Sequence, residues 1–145
     1  ITDDGVARAL GNFMGAAHAA THSTHLPADR VAKLKADFAN KELRGLQLEY
    51  VFTKPFAEAT AAAPLREDAA FLAEVESLKV AYRGDGPGDN LALCHGDFHA
   101  GSVMVDTSKG GAVKVIDPEF AVYGPPGLDV GCIISGYVLA AVLAA

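Results

Sequence analysis

Apolar residues recur at helical spacing through the first half of the chain, then alternate in the second. Over residues 2–20, Val6, Leu10, Phe13, Met14 and Ala17 share one helix face, with Thr2 or Asp3 placed to cap it. Pro27 opens a shorter helix striped by Val31, Leu34 and Phe38. Asn40 stands as the cap of a third over 40–48, where Glu42 meets the positive end of the helix dipole. Thr53-Lys54-Pro55 then stops regular structure. Leu65, Ala69, Leu72, Val75, Leu78 and Tyr82 predict a longer helix over 64–83, closed by Gly84. GDGPGDN at 84–90 is a turn-rich loop.

Beyond that loop the period shortens to two. Residues 91–94 read as a short apolar strand that delivers the chain to His95. Val103 and Val105, then Val113 and Val115, alternate as half-buried strands do, with the turn formers DTSKGG at 106–111 between them. Pro125-Pro126-Gly127 breaks the chain before an apolar helix from about residue 128. The run 130–145 falls short of the roughly 20 residues a bilayer crossing needs, and it contains Ser135, Gly136 and Tyr137. It is expected as a buried core helix, with Met14 and Met104 also in the core. The pattern as a whole predicts an α+β fold, mainly helical, with one small antiparallel hairpin.

Composition narrows the function. The chain has 145 residues, half of them hydrophobic, enough for one domain with a core. Its net charge of -6 argues against nucleic acid, whose phosphates need clustered Lys and Arg. Cys94 and Cys132 sit in apolar surroundings as free thiols, which fits a reducing cytoplasm. Ile1-Thr2-Asp3-Asp4 opens no signal peptide, and no membrane partner is expected.

The chemistry concentrates in two loops, HGDFHAGS at 95–102 and VIDPEF at 115–120. A hairpin of strands over about 102–106 and 113–117 returns Asp117 to the end it left, beside Ser102 and within reach of Asp97. Glu119 follows two residues on. Carboxylates so close repel one another unless a cation joins them. A hard, oxygen-preferring ion fits this donor set, Mg²⁺ first. In phosphoryl transfer one carboxylate accepts the proton of the attacking hydroxyl while others hold metal on the phosphates. Asp97, Ser102 and Asp117 fall at the offsets of the kinase catalytic loop and metal aspartate, with serine in place of asparagine.

His95-Gly96-Asp97-Phe98-His99 resembles the catalytic loop of the aminoglycoside phosphotransferase and choline kinase superfamily, relatives of protein kinases. HGDFHAGSVMV, VIDPEFAVYGPPGLDVG and NKELRGLQLEYVFTKPF more narrowly resemble the methylthioribose kinase family. Asp-Pro-Glu, where the superfamily usually has Asp-x-Asp, selects that branch. The resemblance covers about residues 9–136. It implies the mainly helical C-terminal lobe of a kinase-like fold, using ATP and Mg²⁺ on the anomeric hydroxyl of a methylthio sugar in methionine salvage, with room for a homodimer. Asp97 would be the catalytic base. Asp117 and Glu119 would hold metal and nucleotide, with Ser102 a weaker ligand. Asp129 would brace the catalytic loop, and His95 and His99 would support the loop or substrate.

Other readings compete. A fructosamine, choline or aminoglycoside-like substrate would suit the same loops. His95-x-Asp97-x-His99 also permits a transition-metal hydrolase, although the C-terminal half holds no further histidine. His18, His22 and His25 are spaced for a small metal cluster or for a partly exposed helix end. Residues 123–127 either shape the substrate side or only turn the chain. Neither a glycine-rich phosphate loop nor a phosphate-pairing lysine strand precedes the helices, so the chain is expected to be the lobe without its N-terminal ATP-binding partner and C-terminal end. Alone, the 145-residue chain should therefore bind ATP poorly and show little turnover. Robust ATP-dependent phosphorylation by it in an ADP-release assay would overturn this.

Overall fold

The computed structural model describes residues 4–84, 90–106, 108 and 112–145. The caps expected at Thr2 and Asp3, most of the loop 84–90 and most of the connection 106–111 lie outside the described residues. Helices α1 (Asp4–Thr21), α2 (Ala28–Asp37), α3 (Lys41–Tyr50), α4 (Lys54–Glu58), α5 (Ala63–Arg66) and α6 (Ala69–Arg83) come first. Strands β1 (Ala92–Cys94), β2 (Val103–Asp106), β3 (Ala112–Val115) and β4 (Val122–Gly124) follow, and helix α7 (Gly127–Ala144) ends the series. The fold is mainly helical with small antiparallel ladders, as the periodicity predicts.

The strands form two pairs. β2 and β3 make the expected hairpin, with Val103 opposite Val115 and Asp106 opposite Ala112. β1 pairs with β4, Cys94 opposite Val122. That strand was not anticipated, because three residues beside a Pro-Pro-Gly turn are too few to show a period. Tyr123 therefore belongs to a ladder and is buried. Its hydroxyl donates to the carbonyl of Thr21, and the Thr21 hydroxyl accepts from Leu93 N. The C-terminal end of α1 is thus tied to both strands.

Three helix boundaries differ from the pattern. Pro55 lies in the first turn of α4 and begins a helix where a break was expected; a first-turn N–H has no intrahelical partner to lose. The helix expected over 64–83 is interrupted at Asp68, whose carboxylate accepts from Phe71 N at 3.0 Å and caps α6. Aspartate competes for backbone N–H groups in this way. Asn40 makes no side-chain cap on α3. It adopts a left-handed conformation, φ 40°, that asparagine tolerates better than most residues. Its amide donates instead to the carbonyls of Glu119 and Ala121.

Two apolar clusters flank the β1/β4 ladder. Val6, Leu10, Phe98 and Ile133 form one, bringing α1, the hairpin and α7 together. Tyr82, Cys94 and Val122 form the other, with Leu48, Phe52 and Leu128 against it. Met14 packs on the first cluster, but Met104 is exposed on the outer face of the hairpin, contrary to expectation.

The buried core helix expected at the C-terminus is also corrected. Only Asp129 and Ile133 of α7 are buried, while Val142 is 68% and Leu143 87% exposed. Gly136, Tyr137 and Ala140 share a groove with Leu10, Ala100 and Val103, but no residue of α7 beyond Ile133 is buried. With 18 residues and mean hydropathy 1.9, α7 is long and apolar enough to cross a membrane by length and composition.

Candidate active site

Strand β1 ends at Cys94, and the loop that follows from His95 is held by its backbone. His95 N and Gly96 N donate to the two carboxylate oxygens of Asp129, at 2.8 and 2.9 Å. Asp129 stands in the first turn of α7 and is 3% exposed. His18 Nε2, from α1, donates to the same carboxylate at 3.0 Å. Gly96 has φ +86°, and a Cβ there would meet the Phe120 carbonyl oxygen at 2.0 Å, so only glycine fits. The Gly96 carbonyl accepts from Gln47 Nε2 of α3 at 2.8 Å.

The residues around Asp97 are anchors. His95 is buried and Phe98 is 0% exposed, stacked on Phe13 with ring centres 5.8 Å apart. The Asp97 side chain between them is 41% exposed. A carbonyl only accepts, so His95 Nε2 donates to Ile116 O at 2.9 Å and leaves Nδ1 to face Asp97 N. Both His95 nitrogens are thereby engaged within the chain, which does not favour a metal on that ring. The same logic fixes His99: Nδ1 accepts from Gly101 N at 2.9 Å, so Nε2 carries the proton toward Asp97 Oδ2 at 3.3 Å.

Ser102 is buried, and its hydroxyl donates to the Asp97 carbonyl at 2.9 Å. Ile116 N donates to Ser102 O, extending the hairpin ladder to the residue before Asp117. Asp117 has φ +63°, an unusual conformation for a residue with a side chain, and starts the 3-10 turn Pro118–Phe120. Asp117 and Glu119 are exposed. Neither carboxylate is held by a hydrogen bond or ion pair among the described residues, so both are available oxygen donors of the kind Mg²⁺ takes.

Asp97, Asp117 and Glu119 do not close into one tight group. Among the described residues the one set of three such side chains with ligand atoms within 4.8 Å of one another is His18, Cys94 and Asp129. Like-charged carboxylates keep apart, and Asp97 turns to His99 instead. The His18 set is a hydrogen-bond hub, since both Asp129 oxygens are already taken by N–H groups. Cys94 stays a protonated thiol, its pKa driven up by burial and then by the Asp129 charge.

Comparison with known proteins gives the chain a family. The sequence model of the phosphotransferase enzyme family matches residues 2–144. The chain belongs to that family. It is 34% identical over 143 residues to a methylthioribose kinase of Escherichia coli O45:K1, covering 93% of this chain and 33% of that protein. It is 33% identical over 136 residues to a methylthioribose kinase of Bacillus thuringiensis subsp. konkukian, covering 90% and 34%. Over 88 residues it is 43% identical to methylthioribose kinase 1 of Oryza sativa subsp. japonica, covering 61% and 19%. The chain thus spans about a third of the length of the two bacterial relatives.

Two residues of the candidate site escaped the sequence reading. His18 does not join His22 and His25 in a metal cluster; His22 bonds Thr24 and Asn90, and His25 bonds the Ala19 carbonyl. Its position four after Met14, on the core-facing stripe of α1, was the available signal: a polar residue there needs a buried partner. Gln47 gave no signal, because its partner lies 49 residues away. Removing Asp129 would strand two buried N–H groups at about 1–3 kcal/mol each. Asp129→Ala should therefore destabilise the full-length protein by about 2–6 kcal/mol in urea unfolding, and Asp129→Asn should also destabilise it by presenting a donor to one of those amides. An Asn variant within about 0.5 kcal/mol of wild type would refute the hub.

Proposed function

We propose that the chain supplies the catalytic-loop lobe of an ATP-dependent small-molecule kinase, with 5-methylthioribose as the substrate and its anomeric hydroxyl as the acceptor. The observation that carries the kinase reading is the presentation of Asp97. It is a half-exposed carboxylate set between two buried anchors on a loop whose backbone is clamped by Asp129.

In this reading Asp97 accepts the proton of the attacking hydroxyl and orients it, a role worth about 100- to 10,000-fold in rate. His99 Nε2, 3.3 Å from Asp97 Oδ2, keeps the carboxylate aimed. Asp117 and Glu119 would hold the metal that serves the nucleotide. Mg²⁺, when bound, neutralises the phosphate charge. Ser102 contributes less as a ligand, since its buried hydroxyl already serves the Asp97 carbonyl. Support for the substrate comes from the similarity to methylthioribose kinases and from Asp117-Pro118-Glu119. A fructosamine, choline or aminoglycoside-like acceptor is the second reading, because the clamped loop itself carries no preference among hydroxyls.

The test is coupled ADP release by the full-length protein, with Mg²⁺ and a panel of sugars and amino alcohols. Turnover on methylthioribose is expected, and activity confined to choline or an amino sugar would overturn the substrate. Asp97→Asn should lower kcat by about 100- to 10,000-fold with little change in nucleotide affinity, whereas Asp117→Asn should weaken binding of metal-nucleotide. The opposite pattern would exchange the two roles.

A further inference from the structure

Gln47 is a polar residue of α3 whose carboxamide reaches two buried groups on different elements. Its Nε2 donates 2.8 Å to Gly96 O, one residue before Asp97. Its Oε1 faces the Tyr82 hydroxyl of α6. The chemistry leaves no choice of orientation. The Gly96 carbonyl only accepts, so the NH₂ must face it and the oxygen must face tyrosine. The hydroxyl therefore donates, and the hydrogen bonds run in one direction from Tyr82 through Gln47 to Gly96.

Tyr82 is fixed at the far end. It is 2% exposed, stacked on Phe52 with ring centres 5.4 Å apart, and covered by the Arg44 guanidinium at 5.4 Å. Burial pushes its pKa up to about 12, so the hydroxyl keeps its proton and remains a donor. At the near end Gly96 is held on its other sides by Asp129 and by the Phe120 backbone. Among the described residues, Gln47 supplies the one side-chain bond to its carbonyl, the atom that sets the plane of the peptide leading into Asp97. Gln47 also lines the open groove beside Asp97, with Leu46, Tyr50, Val51 and Phe120.

We propose that Gln47, oriented by Tyr82, is a positioning residue that sets the Gly96–Asp97 peptide and so aims the Asp97 carboxylate at the acceptor hydroxyl. The proposal rests on the reading of Asp97 as proton acceptor. It predicts a kcat effect without a nucleotide-binding effect, since a misplacement of about 1 Å costs roughly 100-fold in rate.

The experiment compares Gln47→Glu, Gln47→Leu, Tyr82→Phe and the Gln47→Leu/Tyr82→Phe double variant with wild type and Asp97→Asn. All are full-length, with thermal midpoints recorded and kcat and KM for ATP measured by ADP release. Glutamate keeps the shape but cannot donate to Gly96. Both Gln47 variants should lose about 10- to 100-fold in kcat, with KM for ATP within about twofold. Tyr82→Phe, which keeps the ring stack, should lose less. The double variant should be no slower than Gln47→Leu alone, because Tyr82 acts only through Gln47. A folded Gln47→Leu enzyme with kcat within about twofold of wild type, or multiplying losses in the double variant, would overturn the relay. If the Gln47 variants do not fold, Tyr82→Phe decides: a reduced kcat at unchanged KM supports the relay, and an unchanged kcat overturns it. An Asp97→Asn enzyme with normal turnover would overturn the Asp97 reading and the relay with it. Loss of turnover in Asp97→Asn beside normal Gln47 and Tyr82 variants would overturn the relay alone.

Discussion

The Asp129 carboxylate organises this molecule. Two consecutive backbone N–H groups of a loop, buried where water does not reach, need acceptors, and one carboxylate supplies both. Burying that charge is unfavourable unless donors surround it, and the third donor comes from His18 on a helix 111 residues distant in sequence. The start of α7, the end of α1 and the loop after β1 are therefore mutually dependent. Each would leave an unsatisfied group if it moved away. The loop after β1 owes its shape to this requirement more than to any preference of its own residues.

Around that hub the loop separates holding from doing. His95, Gly96 and Phe98 are buried and immobilised through ring, backbone and packing respectively. Asp97 alone among the four is left partly open. The chain turns at Gly96, whose positive φ glycine adopts without strain. His99 then leans back on Asp97 with a tautomer dictated by Gly101. Buried His95 and Phe98 bracket an acid, and His99 steadies it.

How much of this was legible in the sequence depended on the range of the interaction. Helices with an apolar stripe, such as α1 and α6, announce themselves because the period is local. The β2/β3 hairpin was legible for the same reason, through Val103, Val105, Val113 and Val115. β4 was not, since its partner β1 lies some thirty residues earlier and three residues show no alternation. Asn40 looked like a cap, but its amide is drawn to carbonyls 79 and 81 residues on. Asp68 was hidden within a good helical stripe, because a single competing carboxylate does not disturb the apolar period. The residues of the two loops stood out by their chemistry. The hairpin fixes backbone register from Val103 to Val115, and the placing of the Asp117 and Glu119 carboxylates is left to the turn beyond it.

The contact between Gly96 and the Phe120 carbonyl has one more consequence. With no side chain between them, the backbones of the two functional loops touch, and the contact acts as a gauge for the span between Asp97 and Glu119. Any residue larger than glycine at position 96 acts as a shim, widening the span before it alters the chemistry of either acid. The smallest residue in the site thus sets its scale.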